Sequence, residues 1–160
     1  MKILKRLAAA VVALAVIAAL AAPIGPLPGF FIGGTPTPTP DQWPDTSGTD
    51  EILLKVPGVL PHVVTIWVIE HDGALHVVGA PDSGWVERIG ASASVEMRLD
   101  DRTYELTARR LADGWQPVLE AYVAKYRDDY PDIVAGFPPL EEAEGQFALF
   151  RLERPAPVSS

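Results

Sequence analysis

The sequence has no cysteine, only 13 basic residues and only 3 histidines. Without cysteine, a disulfide framework, a thiolate metal site, a cysteine nucleophile and a lipid-modified cysteine anchor are all excluded. The 21 acidic residues give a net charge of -8, which argues against nucleic acid as the main partner, because a phosphate backbone is bound by excess cation. A chain of 160 residues suggests one domain.

Charge is distributed unevenly along the chain. Lys2, Lys5 and Arg6 are the only charged residues before Asp41, so the rest of the chain holds 10 basic and 21 acidic residues, a net charge of -11. Residues 7–22 contain only Leu, Ala, Val and Ile. A basic head followed by such an apolar run is typical of a secretory signal peptide or of an uncleaved membrane anchor.

Both interpretations of this apolar run stay open. A signal peptide would be cleaved after Ala21, where the small residues of a cleavage site are present. An anchor would keep residues 7–32 in the lipid bilayer. We favour the anchor because cleavage would leave Phe30 and Phe31 on a mobile new terminus, whereas such side chains suit the lipid interface.

The positive-inside rule keeps the basic head in the cytoplasm under either interpretation. We therefore expect a protein of a bacterial-type inner membrane with a single span and an extracytoplasmic C-terminal domain. The chain then divides into an N-terminal anchor or signal peptide over residues 1–34, a linker over residues 35–50 and a soluble domain over residues 51–160. The linker alternates Thr and Pro from residue 35 to residue 40, which favours an extended, semi-rigid spacer.

The soluble domain has the pattern of hairpin-linked strands with few helices. Asp72-Gly73 is a strong hairpin signal and places Ile69 opposite His76. The expected strands cover residues 63–70, 74–78, 94–99, 103–110 and 146–153. The expected helices cover residues 85–90 and 115–129, with a short helix or turn over 140–144. This order indicates an α+β fold with an antiparallel sheet.

Residues 73–111 combine a hairpin, a tryptophan that opens a short helix, and two further strands. This arrangement resembles the pyridoxamine-phosphate-oxidase-like split β-barrels, and most of all their deazaflavin-dependent nitroreductase branch and its uncharacterised relatives. The resemblance covers about residues 61–126. It implies an antiparallel six-stranded split β-barrel, often a homodimer, with FMN or the deazaflavin coenzyme F420 at its groove. Arg88 stands where the family usually has Asn, and the basic stretch that precedes the first strand in the nitroreductases is absent here.

Two groups of residues are candidates for cofactor contacts. Trp85 and Arg88 lie one helical turn apart, and with Ser83 they could hold a flavin ring and its phosphate. Alternatively, Trp85 plugs the end of a barrel and Arg88 pairs with a surface acid. Lys125 and Tyr126 share a helical surface that could form a cofactor wall, or could be ordinary amphipathic packing.

Two functions are compatible with these features. The first is a flavin- or deazaflavin-linked redox protein, in which the chain binds the ring and the cofactor carries the hydride. The second is a cofactor-free binding or assembly module of the cell envelope. The sequence favours the second slightly, because the soluble part is acidic and the basic phosphate-binding stretch is missing. The three histidines do not have a spacing that converges on a metal ion, and no nucleophile-elbow motif is present.

Overall fold

The computed structural model describes residues 23, 28–60 and 62–156. Within this part of the chain, no helix combines the length and the apolar character needed to cross a membrane. Most of the anchor expected over residues 7–32 lies outside the described residues, so the anchor stays a prediction.

Seven strands and three α-helices make up the described chain. The strands are β1 (Thr35–Pro36), β2 (Glu51–Val56), β3 (His62–His71), β4 (Ala74–Gly79), β5 (Ser92–Leu99), β6 (Arg102–Arg110) and β7 (Ala148–Glu153). The helices are α1 (Gly84–Ile89), α2 (Trp115–Tyr126) and α3 (Pro131–Val134), with a 3-10 turn at Leu140–Glu142.

Two hairpins form where the turn chemistry predicts them. Asp72 and Gly73 both have positive φ, 50° and 73°, as the tight turn between β3 and β4 requires. The register pairs Ile69 with His76, as expected. Asp100, with φ 55°, turns β5 into β6. Along both strands of this second hairpin, apolar side chains alternate with polar ones, so one face of each strand is buried.

Strand β2 was not predicted from the residue pattern. It lies between the hairpins and pairs antiparallel with both β3 and β5. The core receives the side chains of Ile52, Leu54 and Val56. Leu53 lies on the other face and is also apolar, so the sequence of β2 does not alternate cleanly between apolar and polar residues. The resemblance implied six barrel strands, and β2 supplies the one that the pattern did not reveal.

The barrel closes through β7, which pairs antiparallel with both β4 and β6. The closed order is β6-β5-β2-β3-β4-β7 and back to β6. Its interior is filled by buried apolar side chains, among them Leu54, Leu75, Val77, Met97 and Phe150. The predicted α+β class with a six-stranded antiparallel barrel is therefore confirmed.

Helix α2 packs on the outside of the barrel against β3. It starts at Trp115 as predicted but ends at Tyr126, three residues before the expected end. The chain then turns, because Pro131 begins the separate short helix α3, which was not predicted. A second cluster of buried side chains fills the space between β3, α2 and α3.

The Thr/Pro-rich segment is extended, but it is not a free spacer. Strand β1 pairs in parallel with the start of β6. The amide of Thr37 donates to the carbonyl of Thr103 at 2.8 Å, and the Thr39 hydroxyl donates to the carbonyl of Glu105 at 3.1 Å. A polyproline-like backbone makes no internal hydrogen bonds. Its amides and carbonyls can therefore pair with the unpaired edge of β6. Residues 35–50 are thus part of the surface of the barrel.

Candidate functional site

Trp85 closes one end of the barrel. Its side chain is 8% exposed and belongs to the interior cluster, with its ring 5.6 Å from that of Phe150. Gly79 allows this position, since a Cβ there would collide with the indole ring. Of the two interpretations that the sequence left open for Trp85, the geometry matches the plug.

Ser83 and Arg88 flank this plug at the two ends of α1. The Ser83 hydroxyl donates to the carbonyl of Ala80 at 2.8 Å, so it serves the preceding turn instead of capping the helix. The exposed Arg88 guanidinium donates to the carbonyl of Pro57 at 3.3 Å, a long hydrogen bond. Burial and the nearby Arg88 charge together lower the pKa of His62.

Lys125 binds backbone carbonyls. Its ammonium group donates to the carbonyls of Thr46 at 3.2 Å, Thr49 at 2.5 Å and Val68 at 3.0 Å. All three donors of the side chain are thereby used. Burial lowers the pKa of Lys125, and the charge of Asp50 acts in the opposite direction. The side chain connects residues 46–50 to the barrel wall.

Tyr126 has the same role. Its hydroxyl lies 2.7 Å from the carbonyl of Asp50 and 2.6 Å from that of Val68, and it accepts from the Val68 amide at 3.0 Å. The ring is fully buried and stacks on Trp67 with centroids 4.3 Å apart. Burial is the main reason that the pKa of this tyrosine is raised.

The five residues nominated for a cofactor do not converge. Trp85 lies in the cluster inside the barrel, whereas Tyr126 lies in the cluster outside it, on the opposite face of the sheet. Lys125 and Tyr126 are hydrogen-bonded to backbone carbonyls, and the Ser83 hydroxyl is hydrogen-bonded to the carbonyl of Ala80. Of the five, only Arg88 keeps an exposed polar group at the surface. Cofactor binding by these residues stays a prediction that rests on the resemblance.

A groove that the residue pattern did not predict lies on the outer face of β5 and β6. It consists of two adjoining cavities of about 340 Å³ and 620 Å³ that share Glu96, Glu105 and Pro155. The smaller cavity reaches Lys55, and the larger one is walled by Thr37 and its neighbours in the Thr/Pro-rich segment.

Glu96 and Glu105 stand directly opposite each other across β5 and β6. Lys55, on β2, forms an ion pair with Glu96. Among the described residues, Glu105 has no ion-pair partner. The sequence contains a signal for this pairing. Both glutamates lie on the polar faces of their strands and are equally far from the turn, with Glu96 four residues before Asp100 and Glu105 four residues after Asp101.

His76 is buried on the outer face of β4. It is 4% exposed, and its Nδ1 lies 3.1 Å from the carbonyl of Ala74. Burial is the largest cause that lowers its pKa to about 4, and the positive charge of Arg151 adds to it. The ring of His71 lies 6.3 Å away, nearer than the sequence suggested. In the described part of the chain, no three His, Asp or Glu side chains are grouped as metal ligands would be.

No family model and no curated protein matches the sequence. Solved structures that are similar include HutZ, the heme storage protein of Vibrio cholerae, at 14% identity and a TM-score of 0.46 over 68% of this chain and 83% of that one. A NimC/NimA family protein of Clostridium acetobutylicum is 17% identical, with a TM-score of 0.44 over 64% and 73%. A pyridoxamine 5'-phosphate oxidase-related, FMN-binding protein of Nostoc punctiforme is 14% identical, with a TM-score of 0.41 over 68% and 71%.

These similarities concern about two thirds of the chain. The assignment of the fold rests on the strand order and register of the chain itself. That closed antiparallel barrel agrees with the split β-barrel that the sequence resemblance implied. Nothing in the described strands and helices is specific to the deazaflavin-dependent branch.

Proposed function

We propose that the protein is a membrane-tethered binding module that holds no cofactor, and that the groove over β5 and β6 receives a basic segment of another protein. The opposed pair Glu96 and Glu105 carries this proposal. Like charges directly opposite each other on neighbouring strands cost stability. Lys55 pairs with Glu96 alone, so a cationic ligand at Glu105 would relieve the remaining repulsion.

The shape of the groove also supports an extended ligand. Its larger part has a volume of about 620 Å³ and is open to solvent. The wall formed by the Thr/Pro-rich segment is held in place by Arg154, which donates to the carbonyl of Pro40 at 3.0 Å and to the carboxylate of Asp41 at 2.7 Å. A groove fixed on both sides loses little conformational entropy when a ligand binds.

Binding of fluorescein-labelled pentalysine to the full chain in neutral detergent tests this function by fluorescence anisotropy. We expect Glu105→Gln to weaken binding by about two- to fivefold, because one exposed charge pair is worth up to about 1 kcal/mol. Glu141→Gln is the matched control, since it removes the same charge from the exposed acidic turn beyond α3. Equal losses in the two variants would mean that only net charge attracts the peptide, and the groove would then be no site.

The second candidate is binding of FMN or coenzyme F420 at the α1 end of the barrel. The observation that favours it is the exposed Arg88 guanidinium, whose hydrogen bond to the carbonyl of Pro57, at 3.3 Å, is weak enough to exchange for a phosphate. The absorbance spectrum of the purified protein and quenching of its tryptophan fluorescence on titration with FMN or F420 test it. Retention of tight binding by Arg88→Glu would remove Arg88 from such a site.

The tether is supported by the apolar run of residues 7–22 and the basic head before it. The mass of the mature chain distinguishes the two forms of the N-terminus. An uncleaved chain in the membrane fraction is expected, and a chain that begins near Ala22 would mean a cleaved signal peptide. The homodimer implied by the resemblance can be tested by light scattering of the same preparation.

A further inference from the structure

Exposed apolar side chains are concentrated in one place. Five large hydrophobic side chains are exposed among the described residues. Four of them are Phe30, Phe31, Val59 and Leu60, and here we call these four the apolar patch. Phe31 is 70% exposed, Leu60 is 65% exposed and Val59 is fully exposed. Such a concentration on a folded domain marks a surface that meets a partner or a membrane.

A backbone bridge brings the two halves of the patch to the same end of β3. The amide of Gly29 donates to the carbonyl of Val63 at 2.8 Å, and the amide of Val63 donates to the carbonyl of Gly29 at 2.9 Å. Phe30 follows directly after one side of this antiparallel bridge. Leu60 precedes the other side by three residues, on the loop between β2 and β3.

Arginine side chains border the patch. The Arg88 guanidinium reaches the carbonyl of Pro57 at the base of the loop, and the Arg98 guanidinium donates to the carbonyl of Ile32 at 3.1 Å, one residue beyond Phe31. Apolar tips beside guanidinium groups suit the interface of a bilayer, where the tips enter the acyl boundary and the cations meet lipid phosphates.

The sequence before the bridge identifies the partner. The apolar run ends at Ala22, seven residues before Gly29. Seven extended residues span at most about 25 Å, so Gly29, which borders the patch, cannot lie farther than that from the end of the run. We propose that the apolar patch docks onto the lipid bilayer, so that the end of the barrel with the loop between β2 and β3 lies in the membrane interface. This inference rests on the proposed tether.

Site-directed fluorescence on the full chain tests the docking, and the absence of native cysteine makes the labelling specific. Leu60→Cys, Ile133→Cys and Val16→Cys would each be labelled with an environment-sensitive NBD probe. The proteins would be reconstituted into liposomes of phosphatidylcholine and phosphatidylglycerol with or without nitroxide-labelled lipid. Ile133 is the control because it is the fifth exposed hydrophobic residue and lies on α3, outside the patch.

We expect the probe at residue 60 to shift to the blue and to be quenched by nitroxides placed about 5–10 Å below the headgroups. The probe at residue 133 should stay in water, and the probe at residue 16 should be quenched by nitroxides deep in the bilayer. Combining Leu60→Cys with Val59→Asp and Phe31→Asp should abolish the quenching at residue 60, whereas the same two substitutions should leave residue 16 quenched.

The outcomes separate the docking from the tether. Quenching at residue 16 without quenching at residue 60 would leave the tether in place and overturn the docking. Equal quenching at residues 60 and 133 would overturn the proposed orientation. An unquenched probe at residue 16 would refute the tether, and the docking that depends on it would fail with it.

Discussion

The interior of the barrel and the layer outside it are built from different side chains. The interior is mainly aliphatic, with Trp85, Tyr104 and Phe150 as its buried aromatic members. The outer layer beneath α2 is aromatic: Trp67 stacks on Tyr126 and lies 4.5 Å from the ring of Tyr130. It also contains polar groups that reach backbone carbonyls. The interior stabilises the barrel through buried area, whereas the outer layer also attaches residues 46–50 to the barrel.

This contrast explains why two of the residues nominated from the sequence, Lys125 and Tyr126, bind backbone carbonyls. Lysines and tyrosines on a helix face are also the side chains that can bind carbonyls of an irregular segment while covering apolar surface. Lys125 and Tyr126 do so in this protein. The groove residues Glu96 and Glu105, in contrast, belong to neither cluster of buried side chains.

The largest expected effect comes from the interior. Phe150→Ala should lower the free energy of unfolding by about 3–5 kcal/mol, because the closed barrel cannot collapse around the cavity. Phe137→Ala, in the partly buried rim of the outer layer, is the matched variant and should cost clearly less. Denaturant unfolding followed by tryptophan fluorescence measures both. Equal costs would mean that the two regions do not differ as described.

A pH effect is expected next, from His76. Its pKa in the folded protein is about 4, below the ordinary value of 6.5, so the unfolded chain binds more protons between these values. This contribution to stability should be nearly complete above pH 6.5 and should fall by about 3 kcal/mol as the pH drops toward 4. Unfolding free energies measured across this range should show a flatter profile for His76→Gln. A smaller change is expected for His62→Gln, because that side chain is more exposed.

The polar attachment of the outer layer gives the third prediction. Tyr126→Phe should cost about 1–2 kcal/mol, because it removes the hydroxyl that bonds Asp50 and Val68 and leaves the ring stack intact. Tyr122→Phe is the control. The Tyr122 ring is buried in the same layer, but the hydrogen bonds to the carbonyls of Asp50 and Val68 come from the Tyr126 hydroxyl. Thermal unfolding of the two variants should differ. If both unfold like the unchanged protein, the attachment of residues 46–50 depends on packing alone.

The smallest effect should have the opposite sign. Glu105→Gln should raise the free energy of unfolding by about 0.2–1 kcal/mol, since it removes the repulsion from Glu96 across the strands. The gain should shrink at high salt, where exposed charges are screened. Glu120→Gln, on the surface of α2, changes the net charge equally and should not stabilise the protein. A stabilising substitution that also weakens pentalysine binding would indicate that the acidic pair is kept for binding.

Local chemistry alone determines much of this protein. Asp72-Gly73 specifies its hairpin because a tight turn needs positive φ at both positions, and the alternation along β5 and β6 assigns each side chain to a face. The apolar run and basic head likewise predict a membrane signal without reference to the rest of the chain. Such features depend only on neighbours in sequence.

Tertiary structure decided the rest. The residues of β2 do not alternate cleanly between apolar and polar. The strand is defined by its pairing with β3 and β5, which are not consecutive in sequence. Lys125 meets the carbonyl of Thr46 only because a distant segment folds over α2. The position of the Thr/Pro-rich segment beside Glu96 and Glu105, and of Phe30 and Leu60 at the same end of β3, has the same origin. Contacts between remote residues depend on how all the elements pack together, and a local pattern of residues does not contain that information.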